Sequence, residues 1–196
     1  MHSHNRSAIR ARSRLSVIVV AVLTAASMLA VATPDAASVT SAIAPRIVIN
    51  EVYGGGGNTG AAYDNDFVEL YNPTPTPIDV TGWVLEQRSA RDGLGGTAQL
   101  TGVVPAGGYF LIQGGGGAQV SQPLPTPDAR AEFNFGAREA IAVLTNTNGE
   151  TVDLLGWGDA QRAEETAAPA TTNSTSVQRV APGQDTNNNA ADFITA

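Results

Sequence analysis

The chain has 196 residues, a length that fits one domain of ordinary size with a hydrophobic core of its own. It has no cysteine and no lysine, and its only histidines are His2 and His4, so disulfides, Schiff bases, Ser-His-Asp triads and His- or Cys-ligated zinc are excluded from the rest of the chain. Four of the eleven arginines and one of the eighteen acids precede residue 45, which leaves a formal charge of about −10 on residues 45–196 and disfavours binding to nucleic acid.

The first element of the chain is a basic segment followed by an apolar one. The first 14 residues carry four arginines and no acid, and the next 18 are uncharged and rich in Val, Leu and Ala. This order predicts a cleaved signal peptide over residues 1–32, with cleavage after Ala32, and therefore a protein that is secreted, extracellular or in the cell envelope. Residues 33–44 are then a linker, 45–196 form the domain, and no stable membrane span remains. The alternative is an uncleaved anchor, because the apolar run is near the shortest length that spans a bilayer.

From residue 45 onward, short apolar, β-branched or aromatic runs alternate with clusters of Gly, Pro, Asn and Asp. No stretch keeps a helical period over three turns, so the sequence predicts an all-β domain. Apolar residues alternate within several runs, as Val68 and Leu70 do, which indicates sheets with one buried face. The spacing predicts a sandwich of eight strands, at residues 46–53, 66–72, 78–87, 99–104, 109–113, 140–146, 151–157 and 176–180.

Four long loops connect the predicted strands, and a binding surface is expected on them. They are residues 54–65, 88–98, 114–130 and 158–175. Two of these loops begin with four glycines in a row. A phosphate-binding loop would need a helix start and usually a lysine after such a run, and neither is present. We therefore expect both glycine runs to be flexible loops.

The stretch DNDFVELYNPT, residues 64–74, combines three acids with an apolar run. We expect Glu69 to face away from the core and to be hydrogen-bonded or paired with an arginine such as Arg179. The alternative is acid–base chemistry of the glycosidase type, with either Glu51 and Glu69 or Asp66 and Glu69 as the paired carboxylates. Nothing in the sequence favours one pair over the other.

The stretch DTNNNAAD, residues 185–192, spaces oxygen-bearing side chains as calcium loops do. Asp185, Asn187 and Asn189 are therefore candidate calcium ligands, and no other cofactor is expected. The glycine and the distant glutamate of the helix-loop-helix calcium site are missing. The alternative is a series of Asx turns that places Phe193 in the core.

Trp83 and Trp157 each adjoin a glycine on a predicted strand. Large aromatic side chains on strands are most often anchors of the core. The alternative for both is an exposed platform on which a carbohydrate ring stacks.

Six motifs follow one another along the chain: INEVYGGGG, DFVELYNPT, DVTGWVL, VPAGGYFLIQ, VDLLGWG and RVAPGQDTNNNAADF. Their order resembles the lamin tail domain family in its bacterial, secreted form, from about residue 45 to residue 193. The resemblance implies an immunoglobulin-like β-sandwich, and it implies a role in binding or attachment. It implies no catalytic residue.

We therefore expect a secreted, non-catalytic module that binds or attaches to an extracellular or cell-surface protein or polymer. One alternative is a calcium- or carboxylate-dependent extracellular hydrolase acting on phosphoesters or glycosides. Another is a surface structural protein that self-associates through its sheet edges. The missing His, Cys and Lys argue against the enzyme, and the acidic charge favours solubility over self-association. The sequence indicates neither the ligand nor the oligomeric state.

Overall fold

The structure is a computed structural model that describes residues 46–119 and 121–196. In chain order its strands are β1 (Val48–Tyr53), β2 (Asn65–Tyr71), β3 (Ile78–Asp79), β4 (Val84–Arg88), β5 (Leu94–Gln99), β6 (Val103–Val104), β7 (Tyr109–Gly116), β8 (Ala129–Arg130), β9 (Ala140–Thr145), β10 (Thr151–Trp157), β11 (Val177–Arg179) and β12 (Phe193–Thr195), and one short helix, α1 (Asn189–Asp192), precedes β12. The predicted signal peptide and linker lie outside the described residues, so the boundaries at residues 32 and 44 stay predictions. Across the described ranges, no helix is long and apolar enough to cross a bilayer.

The strands form two main sheets and one small one. The six-stranded sheet has the order β12-β11-β1-β2-β7-β8, and the four-stranded sheet has the order β10-β9-β4-β5. Neighbouring strands are antiparallel except β7 and β8, which are parallel. Strands β3 and β6 pair with each other. The predicted all-β, immunoglobulin-like sandwich is confirmed.

The two main sheets bury a common core. Leu70 and Ile112 from the six-stranded sheet join Leu85 and Leu144 from the four-stranded sheet in one cluster, and all four are 0% exposed. Each such side chain stabilises the fold by about 1.5–3 kcal/mol relative to an exposed one. Trp157 lies in the same cluster, 5.4 Å from the ring of Phe135, so the carbohydrate-platform alternative is wrong for this tryptophan.

The predicted strand over residues 78–87 is two strands in the structure. The chain reverses between them, where the N–H of Trp83 donates to the carbonyl of Val80 at 2.9 Å and Gly82 has a φ of 83°. Only glycine adopts that φ without strain, so this position ends the strand. β-Branched residues alternate on both sides of this turn, so the sequence pattern does not show that the first strand ends here.

The predicted loop over residues 88–98 contains strand β5, which pairs with β4 at the edge of the four-stranded sheet. Its sequence, LGGTAQ, lacks the branched residues that mark strands. A Cβ on Gly96 would lie 3.0 Å from the carbonyl oxygen of Glu132, so the glycine permits a close approach of two segments of backbone.

The prediction of flexible loops is wrong for both glycine runs, because residues 54–57 are all buried and residues 114–116 of the second run belong to strand β7. The two glycine runs pack directly against each other. The N–H of Gly117 donates to the carbonyl of Gly56 at 3.0 Å, and a Cβ on Gly57 would lie 2.1 Å from the nitrogen of Gly117. The glycines therefore allow close contact between the first run and the end of β7.

Candidate functional site

The outer face of the six-stranded sheet, which points away from the core, carries two glutamates on neighbouring strands. On β1 the register shifts at Asn50, so that Ile49 faces the core before the shift and Glu51 is directly opposite Glu69 of β2 after it. A β-bulge of this kind adds one residue and reverses which side chains point outward. Of the two carboxylate pairs considered from the sequence, the structure brings together Glu51 and Glu69.

Both glutamates of this pair are easier to protonate than exposed ones. Burial raises the pKa of Glu51, and a hydrogen bond with Ser176 partly opposes this rise. Burial also raises the pKa of Glu69, the hydrogen bond from Asn50 Nδ2 to Glu69 Oε1 at 2.7 Å opposes the rise, and the charge of Glu51 adds to it. Two carboxylates on directly opposite residues of a sheet repel each other when both are charged.

The predicted pairing of Glu69 with Arg179 is wrong. Arg179 pairs with Asp153 instead, and the partner of Glu69 is Asn50. Among the residues that the structure describes, no arginine forms an ion pair with Glu51 or Glu69. Within the described part of the chain, no arginine therefore offsets the charge of this pair.

Two adjacent cavities adjoin the pair, and both are lined by Glu51 and Tyr63; we name them together the glutamate groove. The first has a volume of about 170 Å³ and is lined in addition by Phe67, Glu69, Leu111, Leu124 and Pro125. The second has a volume of about 250 Å³ and is lined in addition by Tyr53, Ala62, Ser174, Ser176 and Ala196. The groove thus combines carboxylates with aromatic and aliphatic walls.

A cluster of aromatic side chains holds one wall of the groove in place. The rings of Tyr53, Tyr63 and Phe67 have centroids 5.6–5.8 Å apart, two of the pairs edge-to-face and one stacked. The hydroxyl of Tyr53 accepts from the N–H of Ala62 at 2.8 Å and donates to the carbonyl of Asn173. Because the ring and its hydroxyl are both held by these contacts, this wall has a fixed shape.

A second group of charges lies buried, where β11 meets β1 and β10. The guanidinium of Arg179 donates to Asp153 Oδ2 at 2.9 Å, and both side chains are 0% exposed. It also donates to the carbonyls of Ile49 at 2.9 Å and Gln184 at 2.7 Å, and it lies 4.4 Å from the ring centre of Phe193. Burial raises the pKa of Asp153, and Arg179 counteracts that rise. These contacts connect the two main sheets.

The predicted calcium ligands border this buried group. Asp185 forms an ion pair with Arg46 at 2.9 Å, and its Oδ1 accepts from the N–H of Asn187 at 3.1 Å, which is an Asx turn. Asn187 is exposed and has a φ of 54°. Phe193 is buried in the core, as the Asx-turn alternative predicts.

Asn189, the third predicted calcium ligand, is 0% exposed and uses its whole amide inside the protein. Its Oδ1 accepts from the N–H groups of Gly156 and Glu164, and its Nδ2 donates to the carbonyl of Leu154 at 3.0 Å. The structure therefore does not direct Asn189 toward Asp185 or Asn187. Calcium binding by these three residues stays a prediction.

Three carboxylates at this place, those of Asp153, Glu164 and Asp185, have oxygen atoms within 4.8 Å of one another. Carboxylate oxygens this close together could hold a metal ion. Here Arg179 contacts Asp153 and Arg46 contacts Asp185, so two guanidinium groups already supply positive charge. We assign the group a structural role in joining β10 to the segment that follows β11.

Glu164 makes the buried charges sensitive to pH. Burial and the charges of Asp153 and Asp185 raise its pKa to about 8, against the opposing effect of Arg179 and Arg46. The folded protein therefore holds a proton that the unfolded chain releases near pH 4.5, and the stability from this group falls as the pH rises toward 8.

Replacing Glu164 by glutamine is expected to raise the free energy of unfolding by about 1–2 kcal/mol at pH 8.5, a figure discounted for solvent screening, and to change it little at pH 5. Urea unfolding at both pH values measures the difference. Glu165→Gln is the matched control, because that neighbour is exposed. An equal effect of Glu164→Gln at pH 5 and 8.5 would contradict the assigned pKa.

Asp66, the other residue considered for a carboxylate pair, faces the opposite side of the sheet from Glu69. It is 0% exposed, and its two oxygens accept from the N–H groups of Gly56 at 2.8 Å and Phe135 at 2.7 Å. Burial raises its pKa to about 7, and the two N–H groups counteract the rise. Asp66 thus joins the first glycine run to the segment that precedes β9 and does not contribute to the groove.

Comparison with known protein families gives one assignment. The family model described as Lamin Tail Domain matches residues 40–159, which include β1 to β10 and both glutamates of the groove. Comparison with curated proteins finds no match. The lamin tail domain is a non-enzymatic, immunoglobulin-like domain, in agreement with the two-sheet sandwich. Because the match covers more than half of the sequence, this chain belongs to the Lamin Tail Domain family.

Proposed function

We propose that this protein is exported and acts as a binding or attachment module for an extracellular or cell-surface component. The contact surface is the outer face of the six-stranded sheet, including the glutamate groove. The module itself performs no catalysis. Three features support this proposal: the predicted signal peptide, the membership of a non-enzymatic domain family, and the absence of His, Cys and Lys after residue 32.

The outer face of the six-stranded sheet is proposed as the contact surface because of one observation. Two carboxylates, which have no arginine partner among residues 46–119 and 121–196, lie on this face between two groups of aromatic rings. These groups are the cluster at Tyr63 and the pair of Tyr71 and Tyr109, whose centroids are 4.8 Å apart. Tyr109 and Ile194 are 45% and 48% exposed on the same sheet. Exposed aromatic and aliphatic side chains beside polar groups are typical of interaction sites.

The proposal is tested by expressing the full chain in its producing cell, separating envelope from medium, and measuring rebinding of the exported product to stripped envelopes. We expect the double variant Tyr109→Ser, Leu124→Ser to reduce the bound fraction at least about fivefold, since aromatic and aliphatic anchors dominate interface energies. The control is Leu94→Ser, Val103→Ser, which removes two exposed apolar side chains elsewhere on the domain.

Equal binding by both double variants would reject the outer face as the contact surface. Recovery of the product only inside the cell would reject export. Mass spectrometry of the exported product tests cleavage after Ala32 in the same experiment, because cleavage there leaves Thr33 as the first residue.

A carboxylate-dependent hydrolase is the second candidate function. It is favoured by the opposed pair Glu51 and Glu69, whose pKa values are both raised, as acid–base catalysis requires of at least one carboxyl group. Turnover of chromogenic glycosides or phosphodiesters that disappears in Glu51→Gln or Glu69→Gln would establish it in place of the binding module.

A further inference from the structure

We propose that the glutamate groove binds a lysine or arginine side chain presented by a protein partner. This inference rests on the proposed function and specifies the chemistry of the partner. It follows from the charge of the groove, from its walls and from its size.

The groove presents oxygen acceptors in excess of the donors that face them. Glu51 and Glu69 are opposed on neighbouring strands, and Glu69 accepts a hydrogen bond from Asn50. Asn50 is 3% exposed, and the Oδ1 atom of the amide that donates to Glu69 has no hydrogen-bond partner in the described part of the chain. Two opposed carboxylates are unfavourable in their charged state without a cation nearby. A bound ammonium or guanidinium group supplies that positive charge.

The walls of the groove select an organic cation over a metal ion. Calcium takes six to eight oxygen ligands, whereas Phe67, Leu111, Leu124 and Pro125 line much of the first cavity with carbon. These surfaces fit the aliphatic stem of lysine or arginine, which packs on apolar groups while its charged end reaches a carboxylate.

The charge of the whole domain points to a protein partner that is basic. The formal charge of about −10 after residue 45 attracts cationic surfaces and accelerates their association. The domain carries no lysine and only seven arginines after the predicted signal peptide. Attraction between two copies is thus opposed by charge, which leaves a different, basic protein as the partner.

The test is an NMR titration of the isotope-labelled exported product with blocked pentapeptides of glycine that carry one central residue: lysine, arginine or Nε-acetyl-lysine. We expect the lysine and arginine peptides to bind with a dissociation constant on the order of 1 mM, as a single anchored side chain allows. Shifts should concentrate at Glu51, Tyr63 and Glu69. The acetylated peptide should bind at least about tenfold more weakly, because it lacks the charge.

The double variant Glu51→Gln, Glu69→Gln should also lose about tenfold in affinity for the lysine peptide. Glutamine keeps the size of each side chain and can still accept the hydrogen bond from Asn50, so the double variant is expected to fold. Its melting curve checks this. If the double variant does not fold, the single variant Glu51→Gln replaces it in the titration. The control is Glu132→Gln, Glu165→Gln, which changes the net charge equally at two exposed positions.

Equal affinity for the lysine and acetyl-lysine peptides, or an equal loss in the two double variants, would overturn the inference. The result of the peptide titration can be distinguished from the result of the envelope-binding experiment that tests the proposed function. Envelope binding that depends on Tyr109 and Leu124, combined with no preference for a cationic peptide, would retain the binding module and reject the cation site. Envelope binding that is independent of these residues would reject the module's contact face itself.

Discussion

Replacing Arg179 by methionine is expected to lower the free energy of unfolding by about 3–5 kcal/mol, the largest loss that we expect from any single substitution. Methionine fills similar space but leaves Asp153 as an unpaired buried carboxylate, and both side chains are 0% exposed in the intact protein. The carbonyls of Ile49 and Gln184 lose their donor at the same time.

The loss should be larger than that of an ordinary ion pair because several acids depend on this guanidinium. Asp192 lies 3.5 Å from Arg179 and Asp185 lies 3.7 Å from it. Without the positive charge these carboxylates repel each other across a region of low dielectric constant. Arg179→Lys keeps the charge but cannot reproduce the planar set of donors, so an intermediate loss of about 2 kcal/mol is expected.

Urea unfolding followed by fluorescence measures these losses, since Trp157 is 1% exposed in the folded state. Arg130→Met is the matched control, because Arg130 is exposed and its guanidinium donates to the side chain of Gln113 at the surface. Its effect should stay within about 0.5 kcal/mol. A loss below about 1 kcal/mol for Arg179→Met would show that the buried pair contributes little more than a surface pair does.

The buried pair also shows where prediction from sequence stops. Arg179 was identifiable as a candidate partner for an acid, because it is one of few arginines after residue 45. Its actual partner, Asp153, is on a strand of the other sheet. Which acid it meets depends on how the two sheets pack, and no local pattern in either strand contains that information.

The glutamate pair illustrates a second limit. Alternation of apolar residues predicts correctly that Val68 and Leu70 are buried and that Glu69 faces outward. The outward position of Glu51 depends on the bulge at Asn50, which appears only when β1 and β2 are aligned. Strict alternation from Ile49 would have placed Glu51 on the core side. The sequence therefore identifies Glu51 and Glu69 as one of two candidate pairs, but it does not show which pair the fold brings together.

Glycine-rich segments were the least predictable part of the fold. The first glycine run and strand β5 both lack the branched residues that mark ordered strands, yet the first is buried and the second is paired. Their order comes from close contact between backbones, which depends on distant segments such as Gly117 and Glu132. Composition indicates that such contact is allowed, and only the tertiary structure shows that it occurs.

Replacing Asp66 by alanine is expected to lower the free energy of unfolding by about 2–4 kcal/mol, the second large effect. The substitution leaves the N–H groups of Gly56 and Phe135 buried without an acceptor. These two N–H groups belong to different loops, so the change also separates the first glycine run from the segment before β9. Asp66→Asn keeps one acceptor and directs an NH₂ group at the other N–H, which predicts a loss of about 1–3 kcal/mol.

The pH dependence of these variants separates the effect of the titrating carboxyl group of Asp66 from the effect of the space that its side chain fills. Burial raises the pKa of Asp66 to about 7 from its ordinary value of 3.8. Between about pH 4 and 7 the folded protein holds a proton on Asp66 that the unfolded chain has released. The intact protein therefore loses stability as the pH rises through this window. Asp66→Asn cannot take up this proton, so its loss of stability relative to the intact protein should be larger at pH 5 than at pH 8.

The control Asp159→Asn, at an exposed position, should behave like the intact protein at both pH values. If the penalty of Asp66→Asn is equal at pH 5 and pH 8, the carboxylate is ionised throughout this range and its two N–H donors outweigh the effect of burial.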